Sequence, residues 1–251
     1  MTPSDEQVSC FREKGYVCLG EVFSVEEVAA WDAESRRLLR LGLAHGDNLR
    51  AVSYLSSTGL RVVDRLGPVI DISPLFGALA RDERILEALR SLYGHEMLLF
   101  KDKIIYKMLG VPGYGLHQDY SLWQRFPRDL ANVIVSIDGA DAFNGGVEFF
   151  PGYHERLLST PGELRYLNEE EARQIYFEKG ETPATEPGDV IVFDCLTPHR
   201  SGINRSNRLR RQLYLTYSSA HNGDLYEKQL RFLEEQGRAK RGAAARNLFF
   251  R

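Results

Sequence analysis

A chain of 251 residues, 43% hydrophobic and 11% aromatic, can bury a single core without disulfide staples or an obligate partner. Its formal charge of −3 offers no general attraction for nucleic acid or an anionic membrane surface. No apolar run approaches the roughly twenty residues that span a bilayer, and residues 1–6 lack the basic-then-apolar order of a signal peptide. A soluble, cytoplasmic protein with neither of those partners is therefore expected.

Ser4 with Gln7, and Ser24 with Glu27, have the spacing of helix capping boxes, and Gly15 is placed to end the first helix. The second helix is expected over 25–41, with Val28, Trp31, Leu38 and Leu39 on one face. A third, over 82–93, presents Ile85, Leu86, Leu89 and Leu92 at helical spacing and stops at Gly94. Beyond it the pattern changes to β-rich runs at 97–109, 131–138, 146–150, 189–193 and 211–217, punctuated by Gly, Pro, Asn and Asp. Strands that do not alternate with helices predict an antiparallel sandwich or barrel. The expected fold class is mainly β (α+β), one domain over 1–251, in which helices of 4–93 pack on a sheet core of 97–218. A charged helical tail is expected over 225–251. Cys10, Cys18 and Cys195 are too scattered for a disulfide framework and read as small buried side chains in a reducing compartment.

The chemistry concentrates in two stretches. In Gly115-Leu116-His117-Gln118-Asp119 an imidazole and a carboxylate stand two residues apart, which on a strand turns both to one face and lets them share an ion. A surface histidine beside an aspartate needs no metal, so the pair alone is weak. The second stretch is Pro187-Gly188-Asp189, a buried strand, and then His199. Two imidazoles and one carboxylate on one face of an octahedral ion leave adjacent positions open, as oxygen chemistry at iron(II) requires. One position takes dioxygen and two take a bidentate cosubstrate. Ser201 and Arg210 follow, and a dicarboxylate is held by such a hydroxyl and such a planar fork of donors. The bland alternative makes Arg205, Arg208, Arg210 and Arg211 a solvated basic edge. Strand parity leaves this open, since Arg211 shares a face with Leu213 and Leu215, and Arg210 with Gln212 and Tyr214.

Together His117-Gln118-Asp119, Asn144-Gly145-Gly146, Pro151-Gly152-Tyr153-His154, Pro187-Gly188-Asp189 and His199-Arg200-Ser201-Gly202-Ile203-Asn204 resemble the phytanoyl-CoA dioxygenase-like branch of the iron(II)/2-oxoglutarate oxygenases. The resemblance runs over about 11–217 and implies a double-stranded β-helix, the jelly-roll or cupin-like core. It implies Fe(II) held by His117, Asp119 and His199, with 2-oxoglutarate and O2 as cosubstrates. The cosubstrate arginine of that branch lies eleven residues past the distal histidine, which selects Arg210 and leaves Arg208 in reserve. Ser201 joins it, and Lys103 is preferred over Tyr106 as a further contact; Trp123 and Tyr106 are candidate substrate contacts, with core packing an equal reading of Trp123.

In that chemistry 2-oxoglutarate is oxidised to succinate and carbon dioxide, and an iron(IV)-oxo species abstracts hydrogen from the substrate, usually ending in hydroxylation. Asp119 argues against halogenation, because the branch's halogenases lack the carboxylate. One departure is the absence of a tryptophan from 131–136, where many members carry one beside the cosubstrate. The segment 215–224 looks like small-molecule bacterial members, including aminoalkylphosphonate hydroxylases, so a small polar metabolite is the expected substrate. A tailoring oxygenase performing desaturation, epoxidation or ring formation is the alternative within the class. Outside it stand a zinc hydrolase on the same triad and a ligand-binding jelly roll without catalysis. The oligomeric state is not legible.

Overall fold

Side chains alternate across a strand, and in this protein that alternation sorts the main sheet into a helix-covered face and a face that builds the site. The computed structural model describes residues 2–45, 50–55, 59, 61–159 and 166–241. In chain order the elements are α1 (Asp5–Lys14), β1 (Tyr16–Leu19), α2 (Val25–His45), β2 (Ala51–Leu55), β3 (Arg61–Leu66), α3 (Pro74–Leu79), α4 (Glu83–Tyr93) and β4 (Met97–Lys107). There follow β5 (Leu130–Ser136), β6 (Val147–Phe149), α5 (Glu169–Ala172), β7 (Val190–Asp194), β8 (His199–Ser201), β9 (Arg210–Ser219) and α6 (Tyr226–Arg241).

Local chemistry sets the helix ends. Ser4 and Gln7 form the capping box, and Gly15 closes α1 in the left-handed conformation at φ 79°. Asp82 caps α4 through the Arg84 amide. α2 runs beyond the expected 25–41 to His45, because Gly42 does not stop it but packs against Leu66, where a Cβ would come within 2.9 Å of the side chain. α3, with its Ser73 cap and Pro74 in the first turn, and the strands β1 to β3 were not anticipated from the sequence. Of the expected tail, α6 is present and 242–251 lies outside the described residues.

The main sheet has seven strands in the order β1-β7-β5-β9-β4-β3-β2, and every pairing along it is antiparallel. Ile104 and Tyr106 of β4, Val133 and Val135 of β5, Val190 and Val192 of β7, and Leu213, Leu215 and Tyr217 of β9 are buried in one cluster with Phe11, Trp31, Leu38, Phe76 and Leu89 of the helices. Each such apolar side chain contributes about 1.5–3 kcal/mol on burial. Ile134, Ile191 and Phe193 face the other way, against Val147 and Phe149 of the small β6-β8 sheet. The expected mainly β, double-stranded β-helix architecture is therefore what the chain forms, with its helices mostly N-terminal. Cys195 is buried, Cys10 and Cys18 are half-buried, and all three are free thiols. Among the described residues no helix is long and apolar enough to cross a membrane.

Candidate active site

His117 and His199 meet because the chain before the 3-10 helix Asp119–Leu122 runs antiparallel to β8. Their backbones exchange two hydrogen bonds, of 3.0 and 2.9 Å, and the Ser201 amide donates to the Tyr114 carbonyl at 3.0 Å. Gly113 permits this approach, since a Cβ there would stand 1.5 Å from the Ser201 carbonyl oxygen. The imidazole centroids are 4.3 Å apart.

Asp119 departs from the expected geometry: it opens the 3-10 helix rather than continuing a strand, and the turn brings its carboxylate back to the imidazoles. Its oxygens lie 3.7 Å from His117 Nε2 and 4.0 Å from His199 Nε2. One ligand atom from each residue falls within 4.8 Å of the others. Gln118, between them, points away and is fully buried. Its amide donates to the carbonyls of Arg156 (2.9 Å) and Leu196 (2.6 Å) and accepts from the Leu158 amide at 2.7 Å. The segment is thereby pinned on the side opposite the cluster.

The protonation states suit a metal. His117 Nδ1 is 2.7 Å from the Gly115 carbonyl and His199 Nδ1 is 2.9 Å from the Thr197 carbonyl. A carbonyl can only accept, so each Nδ1 carries the proton and each Nε2 offers its lone pair. Burial lowers both imidazoles, His199 to about 4, and so keeps them neutral. Burial alone would raise the Asp119 carboxyl, but His199, Lys103, His117 and Lys101 together hold it well below the usual carboxylate range. Two neutral imidazole nitrogens and one carboxylate fit a divalent ion of the iron type.

A cavity of about 530 Å³ opens on this cluster. Lys103 lines it, with its ammonium 5.0 Å from the centre of the Tyr214 ring. Trp123 lines it as well, and also packs against Phe100 and Phe126, so it serves wall and core together. Tyr106 does not belong to the site. It lies on the helix face of β4, where its hydroxyl donates to the Ser35 carbonyl of α2 at 2.8 Å, and a substrate contact there is ruled out by the sheet itself.

The arginines separate cleanly. Arg211 faces the helices and is ion-paired with Asp138 and Asp32 at 2.7 and 2.6 Å. Arg208 reaches out to Asp141 at 2.8 Å and is largely exposed. Arg210 shares the site face of β9 with Gln212 and Tyr214 and is buried. Its Nη1 donates to Gln212, its Nε has no partner, and no carboxylate pairs with it among the described residues. Arg210 stands behind the cavity lining, to which Tyr214 and Ser201 contribute directly. Ser201 Oγ accepts from Lys107 Nζ at 2.9 Å and from the Tyr114 amide at 3.1 Å, which leaves its own hydrogen available to donate. A buried guanidinium without a counter-ion is costly, and it fits a carboxylate delivered by a cosubstrate. On β5 the site face carries Asn132 and Ile134 in place of an aromatic wall.

Sequence reasoning missed Lys101, Lys107, Tyr114, Tyr166 and Gln229. Lys101, Tyr114, Tyr166 and Gln229 line the cavity, and Lys107 supports Ser201 from behind it. A signal existed for the lysines: Lys101, Lys103 and Lys107 fall on one face of a strand whose one other charged residue is Asp102.

Comparison with known proteins agrees with this geometry. The family profile described as phytanoyl-CoA dioxygenase (PhyH) matches residues 11–212. The chain is 28% identical over 236 residues to a methylphosphonate hydroxylase of Gimesia maris, covering 90% of this chain and 85% of that protein. It is 29% identical over 244 residues to an ectoine dioxygenase of Bordetella parapertussis, covering 87% of this chain and 76% of that one. The crystal structure of EctD from S. alaskensis with 2-oxoglutarate and 5-hydroxyectoine superposes with a TM-score of 0.75 at 25% identity, over 88% of this chain and 77% of the other. The chain belongs to the phytanoyl-CoA dioxygenase family and is an iron(II)/2-oxoglutarate-dependent oxygenase, which displaces both the zinc-hydrolase and the binding-only readings of the same triad.

Proposed function

We propose that this protein, acting as a single domain, hydroxylates a small polar metabolite, consuming dioxygen and 2-oxoglutarate and releasing succinate and carbon dioxide. His117, Asp119 and His199 would hold the iron. When bound there, iron(II) supplies the redox chemistry by which dioxygen's two oxygen atoms end in succinate and in the new hydroxyl. The observation that carries the reading is the pairing of that triad with Arg210, a buried guanidinium with no carboxylate partner among the described residues.

Arg210 and Ser201 would bind the distal carboxylate of 2-oxoglutarate, with Lys103 beside them over Tyr214. Entry of that carboxylate requires Gln212 to share or release the Arg210 Nη1 that it now accepts from. Trp123, Leu122, Leu230 and Leu233 wall the other side and exclude water from the reacting carbon. A cavity of about 530 Å³, shared with a five-carbon dicarboxylate, suits a compact metabolite. The likeness to a methylphosphonate hydroxylase and to ectoine dioxygenases supports that scale.

The test is substrate-dependent succinate release. Methylphosphonate, 2-aminoethylphosphonate, ectoine and related small metabolites are incubated with iron(II), 2-oxoglutarate and air, and products are read by mass spectrometry. One compound should gain a single oxygen atom in step with succinate. Conversion by simple hydrolysis, with no oxygen consumed, would contradict the reading.

A further inference from the structure

The cavity holds more positive charge than the metal and the cosubstrate can use. A ferrous ion, the Asp119 carboxylate, the Arg210 guanidinium and a dicarboxylate together carry no net charge. Arg65, Lys101 and Lys103 line the same cavity, and none of the three is ion-paired to a carboxylate among the described residues. Asp102 also lines it, but its oxygens accept from the amides of Val69 and Ile70 and from the Tyr226 hydroxyl, and it forms no ion pair with Lys101 among the described residues.

The two lysines serve different ends of the space. Lys103 lies over Tyr214, on the strand face that carries Arg210. Lys101, two residues and about 7 Å away along β4, lies 4.9 Å from the centre of the Trp123 ring. α6 packs on Trp123 through Phe232 and Leu233, and it brings Gln229, Leu230 and Leu233 to the same cavity lining. Gln229 is fully buried, and neither the oxygen nor the nitrogen of its side-chain amide has a hydrogen-bond partner. An amide so placed is unfavourable unless something in the cavity meets it. Burial, with Lys103 and Arg65 nearby, pushes the Lys101 ammonium down to about 7 against the opposing pull of Asp119 and Asp102, and a bound anion would restore its charge.

We propose that the substrate carries an oxyanion, a phosphonate, phosphate ester or carboxylate, which Lys101 and the Gln229 amide bind at the Trp123 end of the cavity. This rests on the oxygenase reading above and narrows its polar metabolite to an anionic one. The subsite is built from β4 and α6, and neither Lys101 nor Gln229 belongs to the triad.

The experiment is calorimetric titration, under argon, of protein loaded with iron(II) and 2-oxoglutarate, first checked for the visible iron-to-2-oxoglutarate charge-transfer band. The probes are methylphosphonate, acetate and the uncharged ester dimethyl methylphosphonate. Methylphosphonate or acetate should bind, the tighter one identifying a tetrahedral or a planar oxyanion, and the ester should not. Lys101→Met should weaken the anion by about tenfold or more, Gln229→Leu by several-fold, and Lys101→Arg should retain binding. These comparisons use variants whose charge-transfer band matches the wild type, so misfolded protein is excluded. Equal binding of the ester, unchanged affinity in Lys101→Met, or no anion binding by band-positive wild type would each overturn the proposal while leaving the oxygenase reading in place. Absence of the band in the wild type would instead strike at that reading.

Discussion

Replacing Gln118 by methionine removes three hydrogen bonds without opening a large cavity. The bonds join the backbone at Leu158, Arg156 and Leu196 to the residue between two metal ligands. Each backbone group left buried and unpaired costs about 1–3 kcal/mol, and the two carbonyls keep a second lone pair, so the lower half applies to them. The total is about 3–7 kcal/mol, a large share of the roughly 5–15 kcal/mol that stabilises a domain. At about 2–4 °C per kcal/mol for a chain of this size, the melting temperature should fall by about 10 °C. Release of the 117–119 segment should also weaken iron binding by about tenfold or more, as loss of ligand-supporting contacts does. Gln118→Glu keeps an acceptor for the Leu158 amide but sets a carboxylate against two carbonyls, and should be at least as damaging. Scanning calorimetry and anaerobic iron titration measure both effects. A melting temperature within about 2 °C of wild type, with unchanged iron affinity, would refute the claim that Gln118 pins the ligands.

Arg210→Met should lower 2-oxoglutarate affinity by about a hundredfold while leaving the apoprotein's stability intact or raised, because the lost charge has no counter-ion among the described residues; a calorimetric titration and a urea melt read the two. Arg211→Met should do the reverse, stranding Asp138 while Asp32 keeps Arg36, and costing about 3 kcal/mol of stability with 2-oxoglutarate binding retained. His199 is held at about 4 in the folded protein, below its ordinary 6.5. Between those values the unfolded chain binds a proton that the folded one refuses, so His199 makes apoprotein stability fall as the pH is lowered from about 6.5 towards 4. His199→Gln should flatten that part of a plot of urea midpoint against pH.

The ligand set could be found in the sequence because each part is local: a histidine and an aspartate two apart, and a second histidine closing a turn-strand segment. Their convergence depends on the pairing of 114–117 with β8, which brings together residues more than eighty positions apart. The choice between Arg210 and Arg211 was closed to parity, since both faces of β9 are buried, one under helices and one over the site. The same ambiguity misplaced Tyr106, whose strand is also covered on both sides. Asp119 satisfied the spacing rule for a different reason than expected, through a single 3-10 turn too short to announce itself. Gln229 was invisible, because a glutamine on a charged helix reads as solvent-facing until the sheet beneath that helix is known.

The most direct measurement is anaerobic addition of iron(II) and then 2-oxoglutarate to the purified protein, followed by visible absorption. A metal-to-ligand charge-transfer band should appear with both present, saturate at one iron per chain, and vanish in His199→Ala and Asp119→Ala proteins that remain folded. A folded wild type that binds no iron, or a band that survives loss of those side chains, would contradict the assignment of the triad.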